Sequence, residues 1–173
     1  MSSIEAGPFE RIVMPHLDAA YDLARWLSGN DHDAEDISQE ACMRAYRFLH
    51  GFRGGDGRAW LLTIVRNTAY SWLKKNRPQE MVHVSDDEMA GMEDVKMADS
   101  VMRQVDCSAL KAALADLPLE FRETLVLREL EGLSYKEIAD VINIPVGTVM
   151  SRLARARKQL QLVMHRKARN GLR

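Results

Sequence analysis

The chain has 173 residues, enough for one ordinary domain or two small ones; 46% are apolar, only 6% are aromatic, and Gly and Pro are scarce, which favours helices over a β-sandwich. The net charge is −1, so no single polyelectrolyte character dominates the whole chain. Two distant cysteines, Cys42 and Cys107, with five scattered histidines and no CxxC pair, exclude a disulfide framework and zinc spacing, and no metal or cofactor is expected.

Ile12, Leu17, Ala20, Leu23, Ala24 and Leu27 recur at helical spacing, and Gly29-Asn30 stops the run. A second helix starts near His32-Asp33, where Asp33, Glu35 and Asp36 suit a helix N-terminus. Ile37, Ala41, Ala45 and Phe48 or Leu49 form its inner stripe, Cys42 reads as a small core residue, and Gly51 ends it. The glycines of Phe52 to Gly57 mark a loop. A third helix runs from about Arg58 to Lys75, with Leu61, Ile64, Val65, Thr68 and Trp72 inward, and Asn76-Arg77-Pro78 ends it. Trp60 and Trp72 read as core rather than as stacking platforms.

Residues 79–106 are acidic and rich in Met, as expected of a linker. A helix over about Ser108–Ala115 opens the second half. Leu117-Pro118 restarts another, with Phe121, Leu125, Val126 and Leu130 inward and Gly132 at its end. There is no β alternation and no internal repeat. The expected fold is all-α: two small helical domains, 1–78 and 107–173, joined by a flexible acidic linker, 79–106.

Charge is segregated along this plan. Residues 51–78 hold 6 bases and 1 acid, and residues 146–173 hold 8 bases and no acid. Residues 1–50, by contrast, hold 9 acids and 4 bases. Two separate basic blocks in a nearly neutral chain point to two separate contacts with a polyanion. No apolar run is long enough to span a membrane, and Met1 to Glu10 carries acids instead of a leader pattern, so a cytoplasmic location is expected.

The segment Leu133 to Leu160, LSYKEIADVINIPVGTVMSRLARARKQL, is the most informative. Ser134 and Glu137 form a capping box, Ile138, Ala139 and Ile142 point inward, and Asn143-Ile144-Pro145 ends that helix and opens the next. Val149, Leu153, Ala156 and Leu160 then make one buried stripe, which leaves Met150, Ser151, Arg152, Ala154, Arg155, Arg157 and Lys158 on the other faces. Two short helices with a basic second outer face are what a DNA major groove admits, and arginine there reaches guanine or phosphate. The bland alternative is a helical hairpin with a solvated face, but solvated faces usually mix signs.

These residues resemble a known family. The segment above is similar to region 4.2 of extracytoplasmic-function sigma factors of the sigma-70 superfamily. DAEDISQEACMRAYRFL (Asp33 to Leu49) resembles their region 2.2, and FRGGDGRAWLLTIVRNTAYSWLKKNRP (Phe52 to Pro78) their regions 2.3 and 2.4. The resemblance implies a DNA-binding specificity subunit, not an enzyme, that acts with core RNA polymerase, promoter DNA and an anti-sigma factor. The anti-sigma factor is expected to hold it at the inner membrane in some states; no small-molecule substrate and no stable homo-oligomer are expected. Asp36, Gln39 and Glu40 match the positions that dock on the polymerase clamp helices. The Phe52–Gly57 loop and the helix after it would open and read the −10 element. There Arg58, Arg66, Lys74, Lys75 and Arg77 would hold phosphates, Asn67 would border a flipped-base pocket, and Tyr70 is open to either a packing or a base-facing role. Met150, Ser151, Ala154 and Arg155 match base-facing positions for the −35 element, with Arg152, Arg157 and Lys158 on phosphates. The linker would thread through the polymerase, as a nucleic-acid mimic or as a plain tether, and the tail from His165 to Arg173 would add non-specific DNA attraction or be disordered. One rival class is an adaptor that sequesters an anti-sigma factor without touching DNA. Another is a response regulator, which would need strands that residues 1–78 lack.

Overall fold

The computed structural model describes residues 6–81 and 107–171. Nearly all of the expected linker, from 82 to 106, therefore lies outside the described residues. The described residues contain helices and no strand, and the chain forms two compact helical units.

In the first unit, α1 (Pro8–Ile12) and a 3-10 turn (Met14–His16) lead into α2 (Leu17–Ser28). The helical run expected from Ile12 to Leu27 is thus broken, because Pro15 has no N–H to continue the ladder. Val13 is buried at this break, while Ile12 and Leu17 are only half-buried. Ala20, Leu23, Ala24 and Leu27 face inward as expected. Gly29, at φ 87°, closes α2 by donating its N–H to the Arg25 carbonyl at 2.9 Å; a left-handed residue costs a glycine no Cβ clash. Asn30 then caps α3 (Asp31–Arg47) by accepting the Asp33 N–H at 2.8 Å.

The buried stripe of α3 is Ala34, Ile37, Ala41 and Ala45. Three alanines let α2 and α4 approach closely. Phe48 is exposed and Leu49 half-buried, so neither extends the stripe, because α3 stops at Arg47. Helix α4 (Gly57–Asn76) starts under the Asp56 carboxylate, which accepts the Arg58 N–H at 2.9 Å. A Cβ at Gly57 would come within 2.8 Å of the Ile12 carbonyl oxygen, so this position must be glycine. Leu61, Leu62, Val65, Thr68, Ala69 and Leu73 are buried, while Ile64 and Trp72, expected inward, are half-buried. The stripe of α4 is rotated from the expected one because it meets two helices, α2 and α3, and not one.

In the second unit, α5 (Cys107–Ala115) and α6 (Leu119–Leu125) are joined by a turn at Asp116–Pro118. Helix α6 runs into a π-type turn, Val126–Leu130. That wider turn advances the phase of the helix, so Leu127 is buried and Leu130, expected inward, is 50% exposed. Helix α7 (Tyr135–Ile142) and helix α8 (Val146–Gly171) follow. Val149, Leu153, Ala156 and Leu160 are buried along α8 as expected, and Val163 continues the stripe. The tail is helical through Gly171, in place of the disorder weighed from sequence.

Arg77 corrects another expectation. It was assigned to DNA phosphates, but its guanidinium donates to the Ser28 carbonyl at 2.6 Å and to Asp33 at 3.1 Å, pairs with Glu80 at 3.3 Å and lies over the Trp72 ring. One side chain thereby joins the ends of α2 and α4 to the start of α3. Arg77→Ala takes the guanidinium from the Ser28 carbonyl and leaves the part-buried Asp33 carboxylate with the Asn30 amide alone, which should cost about 1–3 kcal/mol. Urea unfolding checks this; a loss under about 0.5 kcal/mol would reduce the network to surface decoration.

Candidate nucleic-acid and polymerase interfaces

Asp36, Gln39 and Glu40 are all exposed on the face of α3 opposite its alanine stripe. Glu40 accepts from Arg44 at 3.0 Å, one turn on. Met43, 58% exposed, and Arg47 continue the same face. Beside it, Phe9, Cys42, Met43, Tyr46 and Arg47 line an open apolar groove of about 550 Å³, with Phe9 set edge-on to Tyr46 at 5.5 Å. Cys42, expected as core, is half-buried at this groove, and burial pushes its thiol pKa up. Sequence periodicity missed the groove because Phe9 comes from α1, before the first long helix.

The loop before α4 is anchored by Phe52, whose ring meets Trp60 edge-on at 5.3 Å. That contact supports the packing role expected of Trp60. Along α4, Asn67, Tyr70 and Lys74 share one face, flanked by Arg66. The Arg66 guanidinium lies 3.7 Å from the Tyr70 ring centroid and 3.4 Å from the Asn67 amide oxygen. Arg66 thus touches the other two side chains, while the Tyr70 hydroxyl itself is buried. Asn67, Lys74 and Lys75 are exposed. Arg58 is not brought to this face: it lies on the first turn, on the angular side of the buried stripe, and is half-buried.

Helices α7 and α8 are joined by the three residues Asn143–Pro145, the element order and turn length of a helix-turn-helix. The capping box closes both ways: the Ser134 hydroxyl accepts the Glu137 N–H at 3.1 Å, and the Glu137 carboxylate accepts the Ser134 N–H at 3.2 Å. Asn143 takes φ 62°, the one positive φ outside glycine among the described residues. The Ile144 N–H then bonds back to the Ala139 carbonyl at 3.1 Å, and Pro145 precedes α8. A three-residue turn of this kind is short and stiff.

The basic residues of α8 do not form one face. Arg152 was expected outside, but it is only 7% exposed and lies 4.0 Å from Glu120. A guanidinium held in the bundle beside a carboxylate is a structural group and is not available to a phosphate. Arg157 pairs with Glu129 at 2.9 Å and is half-buried. Arg155 lies over the Phe121 ring at 5.4 Å, half-buried. The Ser151 hydroxyl donates to the carbonyls of Gly147 and Thr148, both at 3.1 Å. Met150 is 49% exposed, Ala154 half-exposed and Lys158 exposed, and these three stand clear of intramolecular bonds. Sequence could not separate the two kinds of arginine, because the ion-pair partners Glu120 and Glu129 come from another helix. Among the described residues no cluster of side chains is fit to hold a metal ion, and no helix is long and apolar enough to cross a membrane.

Two family models match this chain: Sigma-70 region 2 over residues 12–79, and Sigma-70, region 4, over residues 107–160. The chain is 34% identical to the ECF RNA polymerase sigma factor SigW of Bacillus subtilis, over 88% of this chain and 87% of that one. It is 37% identical to the RNA polymerase sigma-H factor of Pseudomonas aeruginosa, over 88% and 83%. It is 35% identical to SigE of Mycolicibacterium smegmatis over 88% of this chain, which spans 60% of that longer relative. Among solved structures it is similar to the sigma factor RpoE of Bartonella quintana, crystallised with the anti-sigma factor NepR, at a TM-score of 0.70 and 28% identity over 91% and 96% of the two chains. Region 2 and region 4 occur in order in a chain more than 30% identical to such relatives along most of its length; this chain belongs to the ECF RNA polymerase sigma factors.

Proposed function

We propose that the chain binds core RNA polymerase and directs initiation at promoters with −10 and −35 elements, as a specificity subunit without catalytic activity of its own. The observation that carries this reading is the pairing of two helical units, each with exposed cations on a helix that can face DNA. The proposed domain limits are 1–78 and 107–173, with 79–106 as the tether. The protein would work in the cytoplasm, and the RpoE–NepR complex supports control by an anti-sigma factor, which would occlude its partner-binding faces. An adaptor that only sequesters such an inhibitor would have no use for the unpaired cations of α8. Run-off transcription with core polymerase alone and with added protein tests the reading; equal initiation in both tubes would sink it.

In this reading the outer face of α3 docks on the polymerase. Asp36, Gln39 and Glu40 supply polar and negative contacts that steer a basic partner helix, and Met43 adds apolar area. The double change Gln39→Ala and Glu40→Ala should lower core capture at least several-fold. It should leave the melting temperature nearly unchanged, because the exposed Glu40–Arg44 pair is worth little. Capture of core by the variant at wild-type level would reject the assignment.

The Arg66–Tyr70 stack, with Asn67 and Lys74 on the same side, would form the −10 surface, where an amide can pair with an extruded base edge and the cations hold the backbone. Arg58, on the other side, would at most reach the upstream backbone from the start of α4. On α8, Met150, Ser151, Ala154 and Arg155 would meet base edges and Lys158 a phosphate. Arg157 would meet DNA only by giving up Glu129, and Arg152 is assigned to the fold. Two substitutions separate these roles in holoenzyme binding across a salt series. Arg155→Ala should lose about 1–3 kcal/mol more on a matched −35 element than on a scrambled one. Lys158→Ala should weaken both equally and lower the salt slope by about one unit. Equal losses on the two promoters for Arg155→Ala would make it a backbone contact instead.

A further inference from the structure

Helix α8 runs eleven residues past the end of the region 4 match, from Leu160 to Gly171, and those residues are not a loose tail. Val163 is buried on the same side as Leu160. One turn further on, Lys167 pairs with Asp116, in the α5–α6 turn, at 2.9 Å. The extension thus packs on the body of its unit at Val163, pairs with it at Lys167 and is continuous with the helix that precedes it.

Its outer side has a consistent character. At 100° per residue, Ser151, Lys158, Leu162, His165 and Arg169 fall within one narrow stripe, opposite Val149, Leu160 and Lys167, with Arg166 at its edge. Lys158, Leu162, His165, Arg166 and Arg169 are all exposed. Lys158, Arg166 and Arg169 make no ion pair with any described residue, whereas Lys167, on the packed side, makes one. No acid occurs anywhere from Val146 to Arg173 to neutralise the stripe. Counting a rise of about 1.5 Å per residue, Arg169 stands about 16 Å beyond Lys158 on a straight line.

We infer that the last three turns of α8 form a rigid phosphate-gripping arm, which prolongs DNA contact past the groove along the sugar–phosphate backbone. A straight helix leaves a curved groove and must then pass over a strand, and duplex DNA presents one charge about every 1.7 Å of its axis. Cations fixed on that line meet phosphates without ordering a flexible segment, so little entropy opposes the contact. The partner is double-stranded DNA read without sequence, since point charges on this line carry no base code. The inference rests on the proposed placement of α8 on DNA.

The test is binding of the full chain to a short labelled duplex by fluorescence anisotropy over about 50–200 mM salt. Three variants are compared with wild type: the double change Arg166→Gln and Arg169→Gln, the single Lys111→Gln, and Lys158→Ala. The double variant should lower the slope of log K against log salt by between one and two units, on matched and scrambled sequences alike. Lys111, exposed on α5 and without an ion pair among the described residues, lies off the stripe and takes no part in holding α8, so Lys111→Gln removes a charge from the same unit and should leave the slope at the wild-type value. If Lys158→Ala weakens binding while the double variant does not, the arm is wrong and the groove assignment stands. If neither affects binding, both fall. An equal slope change from Lys111→Gln and from the double variant would show a net-charge effect and also overturn the arm.

Discussion

Guanidinium side chains that reach across to carbonyls and carboxylates of other segments hold this molecule in shape. Each unit is a handful of helices with a small apolar centre, and small cores leave helix ends and turns poorly fastened. Arg77 fastens the first unit at the Ser28 carbonyl. In the second, Arg122 reaches the carbonyls of Ala115 and Leu117, at 3.3 and 3.1 Å. Arg128 reaches the Leu133 carbonyl at 2.8 Å while lying over the Tyr135 ring. Arg152 and Arg157 join α8 to carboxylates on and just after α6. A planar donor with five N–H groups suits this work better than an ammonium does.

That use of arginine sorts the basic residues of the chain. Among the described residues the cations left exposed and without ion pairs include every exposed lysine, Lys74, Lys75, Lys111, Lys136 and Lys158, and as many arginines, Arg11, Arg47, Arg53, Arg166 and Arg169. Compact, strongly hydrated charges on flexible stems suit non-specific backbone attraction. Formal charge along the sequence therefore overstates what each helix offers to a polyanion. The segment 146–173 carries 8 bases, yet Arg152, Arg157 and Lys167 are engaged within the fold.

Much of the fold was legible before any coordinates. The Ser134–Glu137 capping box, the stop at Gly29 and the Val149–Leu160 stripe all depend on residues within a few positions of each other, and local rules suffice for them. The family resemblance, too, rested on contiguous motifs. What escaped was non-local or depended on phase. Leu130 turned outward because a π-type turn adds a residue to one helical turn, which periodicity counting cannot detect. Arg77 and Arg152 were read as DNA contacts because their partners, Ser28, Asp33 and Glu120, lie far off in sequence. The apolar groove beside α3 needed Phe9, more than thirty positions away.

The outer face of α8 has a consequence for how such a protein changes over generations. Met150, Ala154 and Lys158 carry no cap, no ion pair and no share of the buried stripe. Replacing them costs the fold about ±0.5 kcal/mol at most, whereas a change at Arg152 or Leu153 disturbs the bundle. In the proposed reading, recognition and stability thus sit on different sides of one helix. A duplicated copy of this gene is free to drift in what it reads while inheriting an intact scaffold, and a family of regulators can diversify from a single ancestor by varying a few outward-facing positions.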